Sequence, residues 1–339
     1  MFVKRTPKGS VQPPAVNIWG NGGPRMRAND IRSLYKVNKC YQLPEIDKGN
    51  HFLTNGMHAS SALKHMDDTT NQLIVEVGPG PGAITRRLLA QDSLGVLGME
   101  MDTSYNAYLE NMQQITQHKF QWVNVDIMNV DEPEVIKQAF PERQWAVPWD
   151  RTPMVTAVVN ISFSSVHSLI VRYCMDISRR RGLYSLGKVP LRFLTEQKVA
   201  ERVCAATGTK EFSMLSALVQ NYFTTHIDRT LAGESFYPFT TVDCAMLVLR
   251  PRELPLVEID GGALFQFLSF VIKSKHQCSV TKALCCAMPV EVASHICREV
   301  GIDETLPMWK LTVVDLCRMA SMWVLFLEGS NQKLPDLKF

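Results

Sequence analysis

The chain has 339 residues, a formal net charge of +3 and a hydrophobic fraction of 46%. This length exceeds the usual size of one domain, and the composition excludes a disordered or fibrous chain. The first fifty residues hold nine lysines and arginines against three acids, whereas the rest holds 27 against 30. Such a basic arm favours a polyanionic partner such as nucleic acid, with a solubilising tail as the alternative.

Targeting and membrane signals are weak in this sequence. No acid precedes Asp30, as in an organellar presequence, but the segment is rich in proline and glycine and predicts no amphipathic helix. No secretory signal is recognisable at the start. We expect no membrane contact, because the apolar stretch Leu311 to Leu327 is interrupted by Asp315 and Arg318 and predicts a buried helix.

The nine cysteines are odd in number and scattered, which predicts reduced thiols in a reducing compartment. One group of side chains has partial metal-ligand character: His276, Cys278, Cys285, Cys286, His295 and Cys297. Because this group lacks a Cys-x-x-Cys pair and three of its cysteines fall in predicted helices, we expect core cysteines, with zinc as the alternative.

Strands and helices are predicted to alternate in the first two thirds of the chain. Helices are expected at Asp30–Lys39, at His58–Met66 and around Ile84–Leu89, and strands at Leu73–Val77, Gly95–Met99, Gln121–Val125 and Met154–Val159. Four polar residues mark the strand ends at intervals of 24, 26 and 34: Glu76, Glu100, Asp126 and Asn160. This spacing is typical of repeated βαβ units and predicts a doubly wound parallel sheet.

The last third of the chain changes character after Arg252. Before this residue we predict strands at Leu183–Val189 and Ala245–Leu249, and a helix from Phe193 to about Cys204. After it we predict helices at 262–274, 280–287, 290–300 and 311–328, the third ending at Gly301. The predicted organisation is therefore a basic irregular arm (1–29), an α/β domain (30–252) and a small helical domain (253–339).

A glycine-rich loop directly follows the first predicted strand. Gly78, Gly80 and Gly82 let the backbone turn sharply and approach a ligand closely. Their spacing differs from the Gly-x-Gly-x-x-Gly loop that binds a pyrophosphate. Glu76 lies two residues before the first glycine, where a carboxylate can accept hydrogen bonds from an ammonium group or from loop amides.

Two further acids complete the predicted cofactor site. Glu100 follows the second strand, where a carboxylate can accept both hydroxyls of a ribose. Asp126 follows the third strand, where it can accept from the amine of an adenine. An amino acid, a ribose and an adenine together describe S-adenosylmethionine. The alternative is a tight structural turn flanked by surface acids.

The end of the fourth predicted strand carries Asn160-Ile-Ser162-Phe163. Methylating an amine requires mainly that its lone pair be aimed at the methyl carbon. An Asn oxygen and a backbone carbonyl can hold the two amine hydrogens, and an aromatic ring can stack on an extruded base. The alternative is an ordinary turn followed by a core aromatic.

These motifs resemble those of the rRNA adenine dimethyltransferases, and most of all their mitochondrial branch, the mitochondrial transcription factor B-like proteins. The resemblance covers about residues 30 to 325. Gly49–Asn55 is similar to the family's Gly-Gln-Asn-Phe-Leu signature. The other segments that carry the resemblance are Glu76–Gly82, Glu100–Asp102, Asp126, Asn160–Phe163, Val199–Arg202, Phe236–Asp243, Gly301–Asp303 and Leu311-Thr312.

The resemblance implies a class I methyltransferase with a Rossmann-like, doubly wound α/β sheet and a small C-terminal α-helical domain. It implies dimethylation of adjacent adenines in small-subunit rRNA, with the immature small ribosomal subunit and its assembly factors as partners in the mitochondrial matrix. The implied catalytic residues are Asn160, Ser162 through its carbonyl, and Phe163. The implied cofactor-binding residues are His51, Leu53, Glu76, Gly78, Gly80, Gly82, Glu100, Asp126 and Asn160.

The chain departs from the family pattern mainly on the RNA side. Ser162 replaces a proline that normally sets the backbone of the corner, and Asn50-His51 replaces Gln-Asn. The basic groups expected to contact RNA are Arg179, Arg180, Arg181, Lys273 and Lys275, together with the arm.

Four functions are therefore compatible with the sequence. The leading one is an adenine dimethyltransferase, and the second is an assembly factor of methyltransferase fold that binds immature rRNA without needing catalysis. The third is a mitochondrial transcription factor that places the same basic surface on DNA. A small-molecule methyltransferase is disfavoured by the signature near residue 50 and by the C-terminal helices.

Overall fold

The computed structural model describes residues 51–53, 56–117, 119–237, 240–272, 278–286 and 288–329. The strands in these ranges are β1 (Phe52–Leu53), β2 (Leu73–Val77), β3 (Gly95–Glu100), β4 (Phe120–Asn124), β5 (Val155–Val159), β6 (Leu191–Glu196), β7 (Phe223–Leu231), β8 (Phe236–Tyr237) and β9 (Cys244–Pro251). The α-helices are α1 (Gly56–Ala62), α2 (Thr85–Leu88), α3 (Asn106–Ile115), α4 (Glu132–Ala139), α5 (Phe163–Ser178), α6 (Gln197–Cys204), α7 (Met214–Tyr222), α8 (Gly261–Val271), α9 (Val280–Leu284), α10 (Val290–Val300) and α11 (Val313–Gly329). The predicted helix at Asp30–Lys39 lies outside these ranges.

Seven strands form one sheet in the order β4-β3-β2-β5-β6-β9-β7. The first five run parallel, and β9 and β7 join them through antiparallel pairs. The strand order reverses between β2 and β5, and ligands of open α/β sheets bind at such a switch point, beyond the carboxyl ends of the strands. The doubly wound α/β prediction is confirmed.

Strands β2, β3 and β5 in the middle of this sheet are buried along their whole length, which explains why they are mostly apolar runs. Leu73, Val75 and Val77 point to the face covered by α4, α5 and α7. Ile74, on the alternate register, belongs to a second core with α1, α2 and α3. Glu76 shares the register of Ile74, so its carboxyl group enters this second, otherwise apolar layer.

The C-terminal helices α8 and α11 pack against α5 and α7. Phe267 and Trp323, whose ring centroids lie 5.8 Å apart, belong to the same buried core as Tyr173 of α5. A Cβ atom on Gly261 would lie 2.4 Å from the carbonyl oxygen of Cys174, so the two backbones approach closely. Since this core is continuous across residue 252, the predicted division into domains stays a prediction.

Two predictions between residues 183 and 204 were wrong. Residues 183–186 form a 3₁₀-helix within Gly182–Leu186, and the strand that we placed at Leu183–Val189 begins only at Leu191. Pro190, which has no N–H, and Gly187, with φ at +119°, separate the two. Phe193–Glu196 belong to the end of strand β6, and the helix that we predicted from Phe193 begins only at Gln197. The sequence did not show this, because a run buried on both faces carries no periodicity that separates strand from helix.

The remaining boundaries are close to the predicted ones. Seven of the described strands and α-helices have no counterpart among the predicted ranges: α3, α4, α5, α7, β1, β7 and β8. Gly301 adopts a left-handed conformation with φ at +76° and ends α10, as expected. Among the described helices, none is long and apolar enough to cross a membrane.

The cysteines follow the core prediction only in part. Cys297 is buried, but Cys285 and Cys286 are exposed. Helix α9 ends at Leu284, so Cys285 and Cys286 follow the helix and do not lie within it. His276 lies outside the described residues, and within those ranges no group of three or more His, Cys, Asp or Glu side chains is arranged to hold a metal ion.

Candidate functional site

A cavity of about 490 Å³ opens at the carboxyl edge of the parallel strands. It is lined by most of the predicted site residues: His51, Gly78, Gly80, Glu100, Asp126, Asn160, Ser162 and Phe163. Leu53, Glu76 and Gly82 do not line it. The residues predicted for the cofactor and those predicted for the target base therefore share one cavity.

The loop between β2 and α2 depends on its glycines. Gly78 has φ at +75°, and a Cβ atom there would lie 2.3 Å from the carbonyl oxygen of Asn160. Gly80 also has positive φ and packs against the ring of Phe52. Gly82 lies behind the loop, where a Cβ atom would collide with Met112. Substitution at Gly78 would therefore disturb both the loop and Asn160, the residue that follows β5.

Glu100 connects this loop to the end of β3. Its Oε2 atom accepts a hydrogen bond from the N–H of Gly80 at 2.9 Å, and Oε1 accepts one from the N–H of Asp102 at 2.8 Å. Burial raises the pKa of Glu100, and the two N–H groups partly offset this. The carboxylate is held in place before any ligand binds.

Asp126 lies two residues beyond β4 and is held in the same way. Its Oδ1 atom accepts from the N–H of Met128 at 2.9 Å, and Oδ2 accepts from the amide of Asn129 at 2.7 Å. These bonds close a tight turn that presents the carboxylate and the side chains of Ile127 and Met128 to the cavity.

Arg172, which the sequence interpretation missed, supports this turn from behind. Its guanidinium group donates to the carbonyls of Ile127 and Val130 and pairs with Glu132 at 2.7 Å. It also pairs with Asp176 at 3.3 Å, one turn further along α5. A lone arginine in an apolar helix with an acid four residues later was the one available signal.

Glu76 does not occupy the position that the sequence suggested. Its side chain is fully buried below the loop, and neither carboxylate oxygen has a hydrogen-bond partner among the described residues. Burial raises the pKa of Glu76 to about 8, partly offset by nearby Thr85. The expected contact with a ligand ammonium group has no support in this geometry, because the side chain points into the second core.

Asn160 lies directly after the end of β5, and its N–H donates to the carbonyl of Val77 at 2.8 Å. Ser162 has φ at −49° and ψ at 133°, close to the φ of about −65° that a proline ring imposes. The carbonyl of Ser162 accepts the N–H of Ser165 at 2.9 Å and so starts helix α5. The corner thus keeps a proline-like backbone without the proline.

Phe163 is the first residue of α5, and its ring faces His51. The two ring centroids lie 6.0 Å apart with an interplanar angle of 19°, and both residues line the cavity. His51 lies immediately before β1, which pairs with β8. The structure therefore places the signature near residue 50 beside the residues predicted to hold the target base as well as beside those predicted to hold the cofactor.

The arginine triplet is not near this corner. Residues 179–181 follow the last residue of α5, whose 16 residues span about 24 Å from Phe163. Arg179 forms two hydrogen bonds with Asp260, at 2.6 and 3.0 Å. Arg181 pairs with Asp176 at 2.7 Å, and the guanidinium of Arg180 lies 4.8 Å from the ring centroid of Trp149.

Arg179, Arg180 and Arg181, which were expected to contact RNA, therefore do not lie beside Asn160 and Phe163, because one continuous helix separates them. The other two predicted RNA contacts, Lys273 and Lys275, lie outside the described residues.

Comparison with known protein families gives one match over most of the chain: a family model described as "Ribosomal RNA adenine dimethylase" matches residues 45–323. Mitochondrial dimethyladenosine transferase 1 of Bos taurus is 28% identical over 67% of this chain and 65% of its own length. The relative named dimethyladenosine transferase 1, mitochondrial, of Xenopus laevis is 25% identical over 88% of this chain and 87% of its own. The chain thus spans just under two thirds of the bovine relative.

Two solved structures share the fold. A dimethyladenosine transferase from Plasmodium falciparum superposes with a TM-score of 0.62 at 14% identity, covering 83% of this chain and 98% of its own. The 23S rRNA methyltransferase ErmE gives a TM-score of 0.53 at 16% identity, covering 80% and 98%. These likenesses confirm the predicted class I methyltransferase fold.

Proposed function

The chain belongs to the ribosomal RNA adenine dimethylase family, and we propose that it transfers methyl groups from S-adenosylmethionine to adenine amino groups of small-subunit rRNA. One observation carries the proposal: a single cavity holds Gly78, Glu100 and Asp126 together with Asn160 and Phe163. The relatives are named mitochondrial dimethyladenosine transferases, which supports the same reaction and a mitochondrial location.

The residues present fit this cofactor. Each oxygen of Glu100 accepts one backbone N–H and retains a lone pair that can accept a ribose hydroxyl. The carboxylate of Asp126 has the same spare capacity for an adenine amine. Gly78 and Gly80 leave the loop backbone open to close approach. When bound, the cofactor supplies a methyl group on a positively charged sulfonium. The sulfur leaves as a neutral thioether, so the transfer needs no metal or acid to activate the leaving group.

The work left to the protein is to aim the target nitrogen. The side-chain oxygen of Asn160 and the carbonyl of Ser162 would accept the two hydrogens of the adenine amine, so that its lone pair points along the cavity. Phe163 would stack on the extruded base and replace the stacking that the base loses. Positioning of this kind is sensitive, because a displacement of about 1 Å can cost about 10²-fold in rate.

The proline-like backbone of Ser162 weakens the reason for preferring a non-catalytic assembly factor. We propose the immature small ribosomal subunit and its assembly factors as partners, and the mitochondrial matrix as the location. No observation on the described residues favours binding to promoter DNA.

The test is transfer of labelled methyl groups to immature small ribosomal subunits. We expect transfer by the wild type and a loss of about 10²-fold or more in Asn160→Ala, with cofactor affinity measured separately by calorimetry. Asn111→Ala, on the exposed side of α3, is the matched control and should behave as wild type.

Two results would contradict the proposal. The first is a wild-type chain that binds S-adenosylmethionine but transfers no methyl group. The second is transfer that Asn160→Ala leaves unchanged.

A further inference from the structure

His51 has a position that its assignment to the cofactor does not explain. Its ring lies nearly parallel to that of Phe163, with centroids 6.0 Å apart and an angle of 19° between the planes. Both rings line the cavity that also holds Asn160. A ring at the cofactor side thus faces the ring expected to receive the target base.

The segment that carries His51 is anchored to the rest of the site. Strand β1 pairs with β8, and Leu53 is buried in the second core. The ring of Phe52 packs edge-on against Tyr105, with centroids 5.9 Å apart, and also contacts Gly80. His51 is therefore the first residue before an anchored strand, and its backbone position is set by contacts on the cofactor side.

The separation of the two rings is close to that required by an inserted base. A flat base between two parallel rings needs centroids about 7 Å apart, because stacked atoms lie about 3.5 Å from one another. The observed 6.0 Å is shorter, so a movement of about 1 Å would admit a base. Because Phe163 begins the long helix α5 and His51 lies before an anchored strand, the movement would be a rotation of the side chains and not a shift of either backbone.

We propose that His51 and Phe163 form a base slot, in which the extruded adenine is stacked on both faces while Asn160 holds its amino group. The inference rests on the proposed function and adds a second stacking wall to it. Stacking on two faces would orient the ring plane, which one aromatic contact leaves free to tilt. A purine presents the larger face to such a slot, which favours adenine over the smaller pyrimidines.

The experiment compares His51→Ala and His51→Phe with wild type, using immature small ribosomal subunits as substrate. We expect His51→Ala to lower kcat/KM for the RNA between about 5-fold and 150-fold, the range found for loss of one base–aromatic stack. His51→Phe keeps a flat ring and should recover transfer to within about 3-fold of wild type. The affinity for S-adenosylmethionine, measured by calorimetry, should be unchanged in both variants.

Met57→Ala serves as the control, since this side chain is 72% exposed in the neighbouring helix α1. Thermal unfolding of each variant checks that the fold is retained. A loss shared by His51→Ala and His51→Phe, with weaker cofactor binding, would overturn the slot and leave His51 as a cofactor contact. Wild-type transfer that His51→Ala does not change would also overturn it. A wild-type chain without transfer would instead overturn the proposed function.

Discussion

The cavity has a side proposed for the cofactor, with Glu100 and Asp126, and a side proposed for the base, with Asn160 and Phe163. The two sides differ in how many hydrogen bonds hold their polar side chains. On the cofactor side, Glu100 and Asp126 each accept two hydrogen bonds from neighbouring backbone or side-chain groups. On the base side, the backbone of Asn160 is bonded to Val77, but within the described ranges no hydrogen bond holds its side-chain amide. The side proposed for the cofactor is thus held by hydrogen bonds between the protein's own groups, whereas the Asn160 side chain on the side proposed for the base is not held in this way.

The largest effect is expected where the two sides touch. Gly78→Ala would add a Cβ atom 2.3 Å from the carbonyl oxygen of Asn160, at a φ of +75°. We expect methyl transfer to fall by about 10²-fold or more and cofactor binding to weaken as well. Transfer assays and calorimetry measure the two losses.

Gly301→Ala is the matched control, because Gly301 also has positive φ but no atom within 4 Å of the added Cβ. It should cost about 1–2 kcal/mol of stability and leave transfer unchanged. Normal transfer by Gly78→Ala would show that the two sides are not coupled through this contact.

The second prediction concerns the cost of ionising Glu76, which is buried below the glycine loop. Burial raises the pKa of Glu76 to about 8 in the folded state, against about 4.3 in an unfolded chain. Folding therefore favours the protonated form, and the cost of ionised Glu76 grows as the pH rises from about 4.3 to about 8. Over this window the wild type should lose stability relative to Glu76→Gln by about 5 kcal/mol at most.

Denaturant unfolding at a series of pH values measures this difference directly. The free energy of unfolding of Glu76→Gln should vary less with pH than that of the wild type, and the two should converge below pH 5. A gap that stays constant from pH 5 to pH 9 would mean that Glu76 does not titrate in this range.

The third prediction concerns the turn at Asp126–Asn129, called the adenine turn below, and tests whether its preorganisation depends on Arg172. Arg172→Met removes the donors to the carbonyls of Ile127 and Val130 and leaves Glu132 buried without its partner. We expect a loss of about 3 kcal/mol in stability. Cofactor affinity should fall by about 30-fold at most, because the two lost hydrogen bonds contribute about 1 kcal/mol each.

Arg181→Met is the control for this change. Arg181 pairs with Asp176 in the same cluster but does not contact the adenine turn. It should lower stability less and leave cofactor affinity unchanged. Equal effects on affinity from the two variants would argue that the cluster acts only through general stability.

The smallest effect is expected at Ser162, on the base side. Its φ of −49° already suits proline, so Ser162→Pro should raise stability by about 0.4–1 kcal/mol by restricting the unfolded chain. Transfer should stay near the wild-type level. Ser165→Pro is the contrasting variant, because it removes the N–H that bonds the carbonyl of Ser162, and it should lower stability. A lower melting temperature for Ser162→Pro would contradict a proline-like corner.

Much of the site could be predicted because its residues follow strand ends. The parallel order of β2, β3, β4 and β5 brings Gly78, Glu100, Asp126 and Asn160 to one edge of the sheet. The family resemblance added His51 and assigned the accepting carbonyl to Ser162, whereas the role of Phe163 followed from the residues at the end of β5. Arg172 escaped prediction because the partners that connect it to the turn, Ile127, Val130 and Glu132, lie 40 to 45 residues away in sequence.

The sequence by itself determined the class of fold, the strands that carry the site and the glycine loop, because these follow from patterns within short stretches of chain. The tertiary structure decided which face each side chain reaches. The alternation of strand β2 turns Glu76 away from the cavity, and the length of α5 separates Arg179–Arg181 from the base corner. It also brought His51 against Phe163, since only the folded chain sets the distance between residues far apart in sequence.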